Sequence, residues 1–158
     1  MTNRQIIRLI ISLTIPLAVA AVAGYFTTAA IAGWYSTLNR PSFNPPNWVF
    51  GPVWTTLYLI MGFSCYLIWR LPESRNRNKA LTIYGVQLAL NFLWSFIFFY
   101  FKRMGVALID ISFLWFAVLA MIVAFRKLTP AAGYMNIPYL AWVSFATILN
   151  ASYYYLNR

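Results

Sequence analysis

Three sets of residues at helical spacing carry the chemistry of this chain. Trp54 and Tyr58 stand four apart, Gln87, Asn91 and Ser95 form a second such series, and Trp142, Ala146 and Asn150 form a third. Each set lies on one face of a helix. Flat rings and neutral amides suit the stacking and hydrogen bonding of a planar, largely apolar guest. They do not suit hydrolysis. The chain has no histidine and no phosphate loop, nucleophile elbow, paired carboxylates or Cys/Asp/Glu cluster,. A conventional metal site is therefore excluded for want of ligands. A haem iron would need Met, Cys or Tyr ligation, and no cofactor is expected.

A fourth concentration lies between Trp34 and Trp54, where Trp, Tyr and Phe alternate with Pro41, Pro45, Pro46 and Pro52 and the only charge is Arg40. Proline fixes φ and removes a backbone donor, so this run holds a set shape that is neither a regular helix nor a sheet. Rings on such a backbone make a cover for a flat ligand.

These residues need a frame, and composition says which. Of 158 residues, 62% are hydrophobic and 9% charged, where a soluble domain carries about a quarter charged. Five stretches are long enough to cross a bilayer: 9–32, 48–69, 80–101, 104–125 and 131–156,. Backbone groups in lipid must be satisfied within the segment, so all five are helices. The expected fold is an all-α integral membrane protein, a single domain (1–158) of five transmembrane helices with a Pro/Trp-rich loop at 33–47. The first stretch follows Arg4 and Arg8 and ends near Ala30-Ile31-Ala32. It exceeds the apolar core of a signal peptide and is read as retained.

The net charge of +10 lies at the ends of the apolar stretches rather than along a solvated face, which argues against nucleic acid. Arg4, Arg8, Arg70, Arg75, Arg77, Lys79, Arg126 and Lys127 fall on the N-terminal side; Arg40, Lys102, Arg103 and Arg158 fall on the other. This asymmetry predicts a cytoplasmic N-terminus. Pro52 is expected in the first turn of its helix and Pro16 at a packing kink. Pro138 is expected to restart the fifth helix after a break at 130–133. Asp110, the one acid within a span, is expected to be paired, with Arg103 as the candidate partner, or protonated. Glu73 is read as a solvated loop charge.

At about 1.5 Å of rise per residue, Trp54 lies about 9 Å below the loop-side end of its helix, Trp94 about 10 Å and Asn150 about 8 Å. Tyr58 and Asn91 lie about 15 Å down, Ala146 about 14 Å and Trp142 about 20 Å. Three helices thus bring rings and amides to overlapping depths beneath the loop. Core packing and a pocket are both open for Trp54 and Trp142. Interhelical hydrogen bonding and ligand contact are both open for Gln87, Asn91 and Asn150. Trp34, Trp69, Tyr100 and the terminal tyrosines also fit an interfacial belt.

The run Trp34-Tyr35 through Leu38-Asn39-Arg40-Pro41, with Pro45-Pro46-Asn47-Trp48-Val49-Phe50-Gly51 and Trp54-Thr55-Thr56-Leu57-Tyr58, resembles the tryptophan-rich sensory protein family. This is the bacterial branch of the translocator proteins, or peripheral-type benzodiazepine receptors. Gln87–Trp94 and Pro138–Trp142, with Phe145-Ala146-Thr147 and Leu149-Asn150, extend the resemblance through all five spans. Phe43 departs from it where the family often has another Trp, keeping an aromatic wall.

The resemblance implies a membrane-embedded binder of protoporphyrin IX and related tetrapyrroles, and of isoquinoline carboxamides and benzodiazepines. It implies a homodimer in a bacterial plasma membrane. Trp54, Tyr58, Asn91, Trp94, Trp142 and Ala146 would line the pocket, and the loop from Trp34 to Trp48 would cover it. Leu149, with Tyr153 or Tyr154 and Arg158, matches the family's sterol motif, against which stands an interfacial helix end with Tyr and Arg anchors. A porphyrin between Trp54 and Trp142 would stack on both, its propionates meeting Arg40, Lys102 or Arg103. Light-dependent breakdown of bound porphyrin would use Trp54 and Trp142 as the reacting rings. The alternatives are tetrapyrrole or sterol transport and a stress-sensing regulatory role.

Overall fold

The computed structural model describes residues 2–158. The chain folds as α1 (Asn3–Ala32), α2 (Asn47–Trp69), α3 (Arg75–Ser95), α4 (Met104–Leu128), the short α5 (Pro130–Tyr134) and α6 (Ile137–Leu156). A 3-10 turn, Trp34–Thr37, opens the loop after α1, and a π-helical turn, Phe96–Tyr100, extends α3. The protein is an all-helical membrane protein. α1, α2, α3 with its π turn, and α4 are long and apolar enough to span a bilayer by length and composition. α6 is long enough at 20 residues, but Asn150, Ser144, Ser152 and its tyrosines dilute its apolar character.

Local chemistry sets the helix ends. Thr2 caps α1 through a capping box with Gln5, and the Ser74 hydroxyl accepts from the Arg77 amide at 3.2 Å to start α3,. Arg126 and Lys127 occupy the last turn of α4, where cations favour the dipole,. Between the π turn and α4 the chain reverses through Lys102, at φ 56°. The break before α6 falls at Met135-Asn136, C-terminal to the expected 130–133, because Pro130 starts α5 and Pro138 sits in the first turn of α6,. Pro52 is the sixth residue of α2, not a first-turn residue, since the helix already begins at Asn47 after the Pro46 cap.

α1 and α2 cross closely at one point. A Cβ on Gly62 would sit 2.5 Å from the Ser12 carbonyl oxygen and 3.1 Å from the Pro16 ring, so only glycine admits this approach. The main core joins α2, α3, α4 and α6 around Met61, Ile68, Leu114, Val118, Met121, Phe125 and Tyr139.

Buried amides tie these helices together. The Tyr58 hydroxyl donates to Asn91 Oδ1, and Asn91 Nδ2 donates to the Tyr139 hydroxyl at 2.9 Å. Tyr139 in turn donates to Gln87 Oε1 at 2.8 Å. Asn136 Nδ2 reaches the Ser64 hydroxyl at 2.8 Å, linking the start of α6 to α2. Arg103 does not pair with Asp110: the one ion pair among the described residues joins Arg77 to Glu73 at 3.2 Å. One Asp110 carboxylate oxygen is buried without a hydrogen-bond partner.

Candidate functional site

Above the Tyr58–Asn91–Tyr139 network the helices part around a cavity of about 560 Å³, within the range of small-molecule sites. Seven of the nine residues expected at a ligand site stand in its wall: Trp48, Trp54, Tyr58, Trp94, Trp142, Ala146 and Leu149. Trp34 and Asn91 do not. Trp34 packs edge-on against Phe98 (centroids 5.9 Å apart) beneath Lys102 Nζ. Asn91 lies one layer below the cavity, its amide spent on the two tyrosines. It supports the floor without touching the space.

The two central indoles meet each other. The Trp54 and Trp142 rings are 6.5 Å apart at 89°, edge to face. Two parallel rings around a planar guest need about 7 Å between their planes (twice the ~3.5 Å contact distance of carbon atoms). The expected sandwich between Trp54 and Trp142 is therefore not available. Instead they form one continuous wall with Phe50, whose ring lies 6.0 Å from Trp142. Phe43 is not part of it: that ring is exposed and rests on Phe145 at 6.3 Å.

Two parts of the cavity escape the sequence reading. α1 supplies Ala20, Ala23, Gly24, Thr27, Thr28 and Ile31, and the π turn supplies Phe98 and Phe99. The α1 stripe was legible as small residues three and four apart, a pattern equally suited to close helix packing. Widening of the last turn of α3 to a π turn swings Phe98 inward, which no residue pattern signals. Leu149 and Tyr153 also face the cavity and are buried, while Tyr154, the alternative tyrosine of the motif, is half-buried. Arg158 instead covers the Tyr155 ring at 4.8 Å, an anchor at the helix end.

The remaining polar groups are mostly committed. Trp94 Nε1 donates to Asn150 Oδ1 at 3.0 Å, and Asn150 Nδ2 donates to the Met104 carbonyl at 2.9 Å. The wall carries no formal charge. Cations stand just outside it, with the Arg40 guanidinium 5.9 Å from the centre of the Tyr35 ring.

The loop over the cavity is fastened to α6. The Asn39 amide donates to Asn157 Oδ1 at 2.8 Å, and Asn157 Nδ2 donates back to the Asn39 carbonyl at 3.0 Å. Asn44 Oδ1 accepts from the hydroxyls of Tyr35 (3.2 Å) and Tyr153 (3.1 Å). Burial, then the Tyr153 hydroxyl, push the Tyr35 phenol well above its ordinary pKa, while Arg40 pulls it back in part. Tyr35 therefore keeps its proton for this bond.

A cavity walled by indoles under an Asn-strapped loop can be set beside known proteins. Residues 12–156 match the TspO/MBR family. The "Tryptophan-rich protein TspO" of Chlorobaculum tepidum is 36% identical over 98% of this chain and 99% of its own. The human "Translocator protein" is 44% identical over 74% of this chain and 70% of its own. The "Tryptophan-rich sensory protein" of Cereibacter sphaeroides is 40% identical over 87% of each. The chain belongs to the TspO/MBR family of integral, multi-pass membrane proteins.

Proposed function

We propose that the protein binds protoporphyrin IX and related planar tetrapyrroles in this cavity. One observation carries the reading: a cavity of about 560 Å³ whose wall holds Trp48, Trp54, Trp94 and Trp142 and no charged side chain. A tetrapyrrole buries a large flat face, and each offset or edge-on aromatic contact adds about 0.5–1.5 kcal/mol beyond the area it covers. Arg40 and Lys102, outside the neutral wall, are placed to meet propionates at the loop-side rim. The metal-free ring asks for no axial ligand, which suits a chain without histidine.

The test is a titration of protoporphyrin IX into purified protein, followed by tryptophan quenching and the porphyrin absorption band. Trp54→Ala and Trp142→Ala should each weaken binding about tenfold, the equivalent of about 1.4 kcal/mol. Unchanged affinity in both variants would remove the site. Saturable binding absent from the unaltered protein would remove the ligand class.

A further inference from the structure

We infer that the cavity opens sideways into the bilayer through a cleft between α1 and α2, so its ligands arrive dissolved in lipid rather than from water. The inference rests on the cavity as the binding site, not on the identity of its guest.

The cleft follows from where the two helices touch. They are locked at Gly62 against Ser12 and Pro16, with no room for a methyl group. Toward the loop side they diverge. Gly24, about 12 Å beyond Pro16, and Gly51, about 16 Å beyond Gly62, both line the cavity,. A Cβ added to either would meet nothing within 4 Å. The helices form a V with its apex at Gly62 and its open end at the cavity.

Exposure identifies the mouth. The exposed wall residues are Thr28 on α1 and Asn47, Trp48, Gly51 and Thr55 on α2, whereas those from α3, its π turn and α6 are buried or half-buried. Gly24 and Thr55 each lie about 12 Å below the loop-side ends of their helices. That depth is within the acyl chains of a core about 30 Å thick. The chemistry of the rim fits lipid contact. The Thr28 hydroxyl donates to the Gly24 carbonyl and that of Thr27 to the Ala23 carbonyl, both at 2.8 Å, so these side chains leave methyl groups to the cleft. Trp48, 76% exposed, stands at its upper corner, the place an interfacial indole prefers. The way up through the loop is closed by the Asn39–Asn157 and Asn44–Tyr153 bonds.

Reactivity of a thiol placed inside tests this without any porphyrin. In a Cys65→Ala background, Ala146→Cys puts one thiol in the cavity wall, and Ser42→Cys gives an exposed reference. Each protein is reconstituted in phosphatidylcholine nanodiscs. Both are labelled with pyrene maleimide, which partitions into lipid, and with a quaternary ammonium methanethiosulfonate, which does not. Relative to the reference thiol, the cavity thiol should favour the pyrene reagent at least tenfold. Gly51→Trp, whose Cβ meets nothing within 4 Å and whose ring fills the mouth, should slow that reaction at least tenfold, and Thr28→Trp should do the same from the opposite rim. Asn157→Ala, which removes the Asn39–Asn157 tie of the loop to α6, should leave both rates within twofold. Equal labelling by the charged reagent, indifference to both tryptophan plugs, or faster charged labelling after Asn157→Ala would each overturn the lateral route. Such a result would leave the tetrapyrrole reading standing, and loss of porphyrin binding would leave the cleft standing.

Discussion

Asn91 shows how one residue can be functional in position and structural in role. Its type and depth were legible from the i,i+4 series with Gln87, but whether it met a ligand or another helix was not, since both need an inward-facing amide. In the folded chain the Asn91 amide meets the hydroxyls of Tyr58 and Tyr139. Neither tyrosine partner is adjacent in sequence, so no local pattern announces the pairing. Removing one member of such a buried set leaves the others unsatisfied at about 1–3 kcal/mol each. Asn91→Leu is therefore expected to lower the melting temperature in detergent by several degrees, and porphyrin affinity should fall only as the floor loosens. A tenfold loss of affinity with no change in melting temperature would place Asn91 in direct contact with the guest instead. Helical rise put Trp54 about 9 Å and Trp142 about 20 Å down, so neither their contact nor the ring orientation set by neighbours such as Phe50 was legible.

Among the elements, the helices over 48–69 and 104–125 begin within one residue of the expected apolar stretches, whereas α1 and α3 begin six and five residues earlier, in polar turns that apolar length does not mark, and the stretch 131–156 is two helices. The separations of the helices were not legible. A glycine at a crossing and a glycine on an open helix face look alike in sequence, yet Gly62 meets backbone at 2.5 Å and the exposed Gly85 meets nothing within 4 Å. Gly62→Ala is expected to destabilise the protein by about 1–3 kcal/mol, as overpacking does. Gly85→Ala, gaining helix propensity of up to about 1 kcal/mol, should be neutral or stabilising. Thermal unfolding of the two variants side by side checks the contrast, and equal effects would refute it. The loop strap also has a pH signature. Tyr35 is buried with its pKa raised, so its folded form holds a proton that the unfolded chain begins to lose near pH 10,. The strap's contribution should be constant below that pH and decline above it. Hydrogen exchange of the 33–47 amides as a function of pH would show this, and loosening near neutrality would contradict it.

For the whole molecule, the ionisable groups in the cavity wall are the phenols of Tyr35, Tyr58 and Tyr153. Affinity for an uncharged isoquinoline carboxamide should therefore be flat from about pH 5 to 9. A titration step in that window would point to Asp110, whose unpartnered oxygen lies outside the wall.

The reciprocal amide bonds between Asn39 and Asn157 have a practical corollary. Asn157 caps the end of α6, so any fraying of that last turn is passed directly to the loop over the cavity. A bulky label therefore belongs ahead of α1, at the opposite end of the bundle from this tie.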